Sequence, residues 1–258
     1  METFYSSVGI SLAAETKMRY GQQAGIQDEW KRIISIDSAS ERKKEIDKFV
    51  SAMESNCEKN GFYGREDSVK INQIGNEFRI DDNELYYMFF ENLRILKQNH
   101  PTEDESRILF HGVLHTVKNY FGGFGANRNV RMALTSVDIE EDIIPSISAQ
   151  KGRNCSLCAE RSSVSHNLWL LTGAESYCVN STECSFGNVS GEYANDGHMF
   201  CVVQIDGIYK VFDPTMQVYM RVSGNPIEKM LKGETFELTT KDGDTYTYAK
   251  ESKNKLKK

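Results

Sequence analysis

The run His198-Met-Phe-Cys-Val-Val-Gln-Ile-Asp-Gly-Ile-Tyr-Lys-Val-Phe-Asp-Pro-Thr215 decides how the rest of the chain is read. Two apolar runs rich in β-branched and aromatic residues flank Asp206-Gly207, a dipeptide suited to a two-residue type I′ turn, which makes the stretch a β-hairpin. The turn sets the register: Ile205 faces Ile208, opposed residue numbers sum to 413, and His198 comes opposite Thr215. Side chains alternate along a strand, so His198, Phe200, Val202 and Gln204 share one face with Tyr209, Val211, Asp213 and Thr215. Asp213 is then the diagonal neighbour of His198, roughly 7–8 Å away at the backbone, which lets a carboxylate reach an imidazole nitrogen. A His oriented by an Asp supplies two parts of a triad, and the chain has to supply a nucleophile.

Composition narrows the search. With 258 residues, 39% hydrophobic and 26% charged, the chain has the make-up of a soluble globular protein of one large domain or two small ones. A net charge of −6 without a basic stripe argues against general nucleic-acid binding. No apolar run approaches the ~18 residues of a transmembrane helix, so no membrane association is expected. Met1-Glu-Thr-Phe-Tyr has no basic segment followed by an apolar one, so the expected location is the cytoplasm, or outside the cell by a route needing no Sec signal. The cysteines at 57, 155, 158, 178, 184 and 201 are accordingly expected as free thiols.

Residues 1–145 read as mainly helical. Ile46, Phe49, Val50 and Met53 fall at helical spacing within a charged segment from Glu41 to Glu58. Asp81 with Glu84 has the form of a capping box opening a helix through Leu85, Met88, Phe89, Leu93 and Leu96, which Pro101 stops. Thr102 with Glu105 repeats the signal for a second helix, striped by Leu109, Val113, Val117 and Phe121 and ended by Gly122-Gly-Phe-Gly. These two are expected to pack antiparallel. From 146 to 250 the pattern changes: a helix between Gly152 and Gly173, the hairpin, then strands at 217–222, 235–240 and 245–250, the last two joined by a turn containing Asp242-Gly243. Residues 251–258 read as a flexible tail. The order is α+β: a helical N-terminal part, then a helix packed on an antiparallel sheet.

Cys155 falls where the helix after Gly152 is expected to begin. Free backbone N–H groups and the positive end of the dipole there favour a thiolate, and the Cys155 N–H points where an oxyanion forms in acyl transfer. Cys155, His198 and Asp213 thus form a nucleophile, base and orienter set. Asn154 and Gln150, two amides just upstream, are the candidates for an additional oxyanion donor.

Gly152-Arg-Asn-Cys155-Ser-Leu-Cys-Ala159, running to Gly173, resembles the transglutaminase-like core of the papain-like cysteine enzymes, where the nucleophilic Cys is followed four residues later by Ala. Gly197-His198-Met-Phe with Phe212-Asp213-Pro214-Thr215 resembles that family's second motif, and the His-to-Asp separation of fifteen is the one its pattern implies. The resemblance covers roughly residues 150–220. It implies a cysteine on a helix N-terminus packed against an antiparallel sheet, and a peptidase, deamidase or transglutaminase acting on protein or peptide amides. Two residues rather than one separate Gly152 from Cys155, and the aromatic usual after the cysteine is missing. No cofactor or metal is expected.

Other arrangements compete. Cys155-Ser-Leu-Cys158 is a CxxC that two further ligands, Cys178 with Cys184 or His198, would complete as a zinc site, making a zinc-stabilised or non-catalytic interaction domain the alternative. His111 and His115, four apart on a helix, lack the Glu of a zinc peptidase. His166 lies eleven residues beyond Cys155, roughly 16 Å along a helix and too far to be its base.

Overall fold

Among the residues that the computed structural model describes (20–56, 61–70, 77–125, 127–141, 143–181, 183–186, 198–232, 234–239 and 245–249), the first 145 form α1 (Tyr20–Ile34), α2 (Ala39–Glu54), α3 (Asn83–Asn99), α4 (Glu105–Phe121) and α5 (Arg128–Glu141). A small antiparallel hairpin of β1 (Ser68–Lys70) and β2 (Glu77–Arg79), not anticipated from the sequence, lies between α2 and α3. The apolar positions Ile46, Phe49, Val50 and Met53 are buried on α2, as their spacing requires.

The helix starts shift slightly from the expected ones. Asp82, not Asp81, caps α3 by accepting the Glu84 N–H, while Asp81 takes the Ser146 hydroxyl. Asp104, not Thr102, caps α4. The two helices run antiparallel: Tyr120 bonds Asp82 (2.7 Å), Asn92 bonds Thr116 (2.9 Å), and Gly112 lies against Leu93. Gly122 ends α4 in the left-handed conformation at φ 78°, where glycine escapes the Cβ clash.

The C-terminal part is built on α6 (Cys158–Leu170) and two antiparallel sheets. Strands β3 (Glu175–Ser181), β5 (His198–Ile205), β6 (Ile208–Asp213) and β7 (Val218–Arg221) form one sheet in the order β3-β5-β6-β7. Strand β4 (Glu183–Phe186) joins β8 (Phe236–Thr239) and β9 (Thr245–Ala249) in the other, in the order β4-β9-β8, and α7 (Pro226–Leu231) precedes β8. The β5–β6 hairpin has the expected register, with Ile205 opposite Ile208 and Cys201 opposite Phe212, and both Asp206 and Gly207 take positive φ (50° and 74°).

Alternation along β5 divides the core. Met199, Cys201, Val203 and Ile205 join a cluster with Ala159, Val164 and Leu168 of α6, which extends without interruption into the N-terminal helices as far as Trp30. Phe200 and Val202 instead meet Phe236, Leu238 and Tyr248 of the second sheet. The large sheet is therefore covered by α6 on one face and by the small sheet on the other, a mixed α+β arrangement with antiparallel sheets.

The helix expected from Gly152 begins only at Cys158. Two carbonyls at the end of α4 recruit the intervening backbone: Tyr120 O accepts the Gly152 N–H (2.8 Å) and Phe121 O the Asn154 N–H (2.7 Å). Gly152 and Asn154 take positive φ (68° and 51°), so residues 152–154 turn across the end of α4 and 155–157 form an irregular lead-in to α6. Strand β3 and helix α7 were likewise not read from the sequence. The expected Asp242-Gly243 turn and the 251–258 tail lie outside the described residues. Among the described residues, no helix is long and apolar enough to cross a membrane.

Candidate functional site

His198 is the first residue of β5 and Asp213 the last of β6, so the hairpin brings them together at its open end. The imidazole Nε2–H donates to Asp213 Oδ2 at 2.6 Å. Asp213 is fully buried, and its other oxygen accepts the backbone N–H groups of Thr215 and Met216, both at 3.1 Å, in the turn that Pro214 begins. A desolvated carboxylate needs such donors to stay ionised.

The thiol that acts on this imidazole, after Asp213, is that of Cys158. Burial alone would push the His198 pKa down; Asp213, by hydrogen bond and charge, and then Cys158 outweigh it and push it up to about 10. The ring is therefore held as imidazolium at neutral pH, chiefly by Asp213.

Cys155 does not occupy the position expected of it. It lies three residues before α6, with its thiol wholly buried and pushed up in pKa, chiefly by desolvation. The helix-start argument applies instead to Cys158, the first helical residue, half-buried beside the exposed Leu157. The Arg161 N–H makes the first helical bond, to Leu157 O, which leaves the N–H groups of Cys158 and its neighbours at the open helix end.

Glu160 and Arg161 fix this end of α6. Glu160 accepts the Leu157 N–H (2.9 Å) and pairs with Arg131 (2.5 Å), while Gln150 Nε2 donates to it at 3.1 Å. Leu157 has no side-chain acceptor, so only this half of a capping box is made. Arg161 donates to Ser156 Oγ, Phe124 O and Gly125 O, tying the lead-in to the glycine turn after α4. Desolvation pushes its guanidinium below the ordinary range, while the carboxylates of Glu160 and Asp213 act against that shift.

Each of the two amides expected as oxyanion donors has neighbours of its own. Gln150 is 3% exposed and turned toward Glu160. Asn154 packs on Gly123 and Gly125, so closely that a Cβ at Gly125 would stand 2.7 Å from its Nδ2. In the structure the two amides meet these neighbours.

Tyr248 was missed altogether. Its buried hydroxyl donates to Asp213 Oδ2 at 3.1 Å from β9 in the other sheet. No local pattern marks it, since its partner is thirty-five residues away. Cys158 did carry a signal: Glu160 two residues later is a first-turn acid, which sets the helix start at 158 rather than 155.

The remaining groups belong elsewhere. His166 is buried between Ser176 Oγ (3.0 Å) and Gly61 O (2.8 Å), and burial pushes its pKa down to about 4, so it is a neutral structural histidine. His111 and His115 lie together on α4, their rings 5.5 Å apart. Cys178 and Cys201 face each other across β3 and β5 as free buried thiols. Among the described residues no group of three or more His, Cys, Asp or Glu side chains is arranged to hold a metal ion. No family model, curated protein or solved structure matches this chain.

Proposed function

We propose that this chain is a thiol-dependent acyl-transfer enzyme acting on protein or peptide amide bonds, with Cys158 as nucleophile, His198 as acid and base, and Asp213 as orienter. The observation that carries this reading is one buried imidazole bonded to the Asp213 carboxylate and acted on by the thiol of Cys158, the first residue of a helix. The resemblance of the His198 and Asp213 motifs to the transglutaminase-like core supports it.

In the reaction the Cys158 thiolate attacks the amide carbon while His198 is imidazolium. The negative charge moves to the carbonyl oxygen, where the N–H groups at the start of α6 stabilise it. Collapse of the tetrahedral adduct expels the amine, which takes the proton from His198, and leaves a thioester on Cys158. Neutral His198 then removes a proton from the second nucleophile, and Cys158 leaves as thiolate. Water as that nucleophile makes the protein a peptidase or deamidase; an amine makes it a transglutaminase. Asp213 keeps the Nε2–H tautomer and stabilises the imidazolium throughout.

Incubation with a glutamine-rich protein and a fluorescent primary amine distinguishes these outcomes. Amine incorporation means transglutamination, ammonia release alone means deamidation, and new chain termini mean peptidase action. Each activity should fall by about a thousandfold or more in Cys158→Ala and survive in Cys155→Ser. Activity that needs Cys155 and tolerates loss of Cys158 would overturn the assignment. Failure of a broad panel of protein substrates, with slow Cys158 alkylation, would favour the non-catalytic interaction domain.

A further inference from the structure

Asp213 receives four hydrogen bonds although no part of it is exposed: two from backbone at Oδ1, and two from side chains at Oδ2. An ionised carboxylate offers about four lone-pair sites, so this one is saturated by protein alone. The two Oδ2 donors differ in kind. His198 Nε2 is charged and close, at 2.6 Å, whereas the Tyr248 hydroxyl is neutral and 3.1 Å away.

Tyr248 is well fixed for such a role. It pairs with Cys184 and Phe236 in the central strand of the small sheet. Its ring stacks on Phe236 (5.2 Å, 18° between planes) and tilts against Phe200 (4.4 Å, 48°). Phe200 also stacks beside His198 in β5 (6.5 Å, 17°), so one aromatic layer sets both the phenol and the imidazole. The small sheet thereby supplies a group to a site otherwise built from α6 and the large sheet.

We propose that Tyr248 is a positioning residue of this site: its hydroxyl shares Asp213 Oδ2 with His198 and limits how tightly the carboxylate holds the imidazolium. The inference rests on the reading of Cys158, His198 and Asp213 as the reacting set. A second donor withdraws charge from the oxygen and makes the carboxylate a weaker partner for the imidazolium. The limit is useful because a general acid held too tightly releases its proton too slowly to the leaving amine. Tyr248 thus balances the support that Asp213 gives to the charged ring.

The test compares the full-length wild type with Tyr248→Phe, which keeps the ring packing and removes only the hydroxyl. Nitrogen-15 imidazole spectra followed across the alkaline range give the His198 titration without any substrate. We expect Tyr248→Phe to raise the His198 pKa by about half a unit, with about a threefold or larger drop in the acylation rate at neutral pH. Site-specific 3-fluorotyrosine at 248, a stronger donor on nearly the same ring, should lower the His198 pKa, and it stands in if the Phe variant fails to fold. An unchanged or lowered His198 pKa in folded Tyr248→Phe overturns the proposal, as does an unchanged or raised one with the fluorinated ring. Acyl transfer that needs Cys158 but leaves His198 indifferent to residue 248 sinks this role alone. The expected titration shifts in a protein without acyl transfer would instead sink the enzymatic reading.

Discussion

Replacing Asp213 with asparagine isolates the charge at the centre of the site, and its signature is a pH-dependent loss of stability. His198 has a folded pKa of about 10 against an ordinary 6.5. A base whose folded pKa is raised stabilises the native state fully below its unfolded pKa, and the contribution is lost as pH rises through the folded value. The window is therefore about pH 6.5 to 10, and at about 1.4 kcal/mol per unit the interval sets a ceiling of about 5 kcal/mol. Asparagine keeps the volume and removes the negative charge, so burial is opposed only by the lesser effect of Cys158 and the imidazole pKa falls well below its wild-type value. Asparagine also presents an amide N–H₂ to a pocket of donors, a pH-independent cost that cancels when pH values are compared within each protein. Guanidinium unfolding can be followed through the buried Trp30 and Trp169 at pH 6.5, 7.5, 8.5 and 9.5. The stability gap between wild type and Asp213→Asn should narrow by about 1 kcal/mol per pH unit across that series. A gap that stays constant would refute the account of His198 as an imidazolium held by Asp213.

Other consequences are open to direct measurement. Iodoacetamide at neutral pH should modify Cys158 at least about tenfold faster than the buried Cys155, Cys178 and Cys201 of the folded protein, read by peptide mass mapping; equal rates would contradict the helix-start assignment. Glu160→Ala removes the acceptor shared by Arg131, Gln150 and the Leu157 N–H, and should cost about 3 kcal/mol in chemical denaturation. Gly112→Ala would put a methyl 2.4 Å from Leu93 Cδ2 between α3 and α4, so a loss of about 1–3 kcal/mol is expected; a neutral effect would mean that this contact yields easily.

The sequence by itself determined what short-range physics controls. Asp206-Gly207 fixed the hairpin turn, the turn fixed the register, and the register put His198 and Asp213 on one face with a 2.6 Å bond between them. Helical periodicity likewise identified the buried positions of α2 and α4, and Leu85, Phe89 and Leu93 of α3, though Met88 and Leu96 are only half-buried and Tyr86 and Phe90 were not included. The starts shifted by one or two residues where neighbouring acids compete for the cap. Tertiary structure decided which cysteine begins the helix. Whether a helix begins at 155 or 158 depends on where the N–H groups of Gly152 and Asn154 go, and they go to carbonyls at the end of α4, more than thirty residues away in the chain. Tyr248 was invisible for the same reason, because its hydroxyl acquires meaning only when β9 packs over β5. Local preference is settled within a few residues, whereas the partners of a backbone N–H or a buried hydroxyl are chosen by the whole fold.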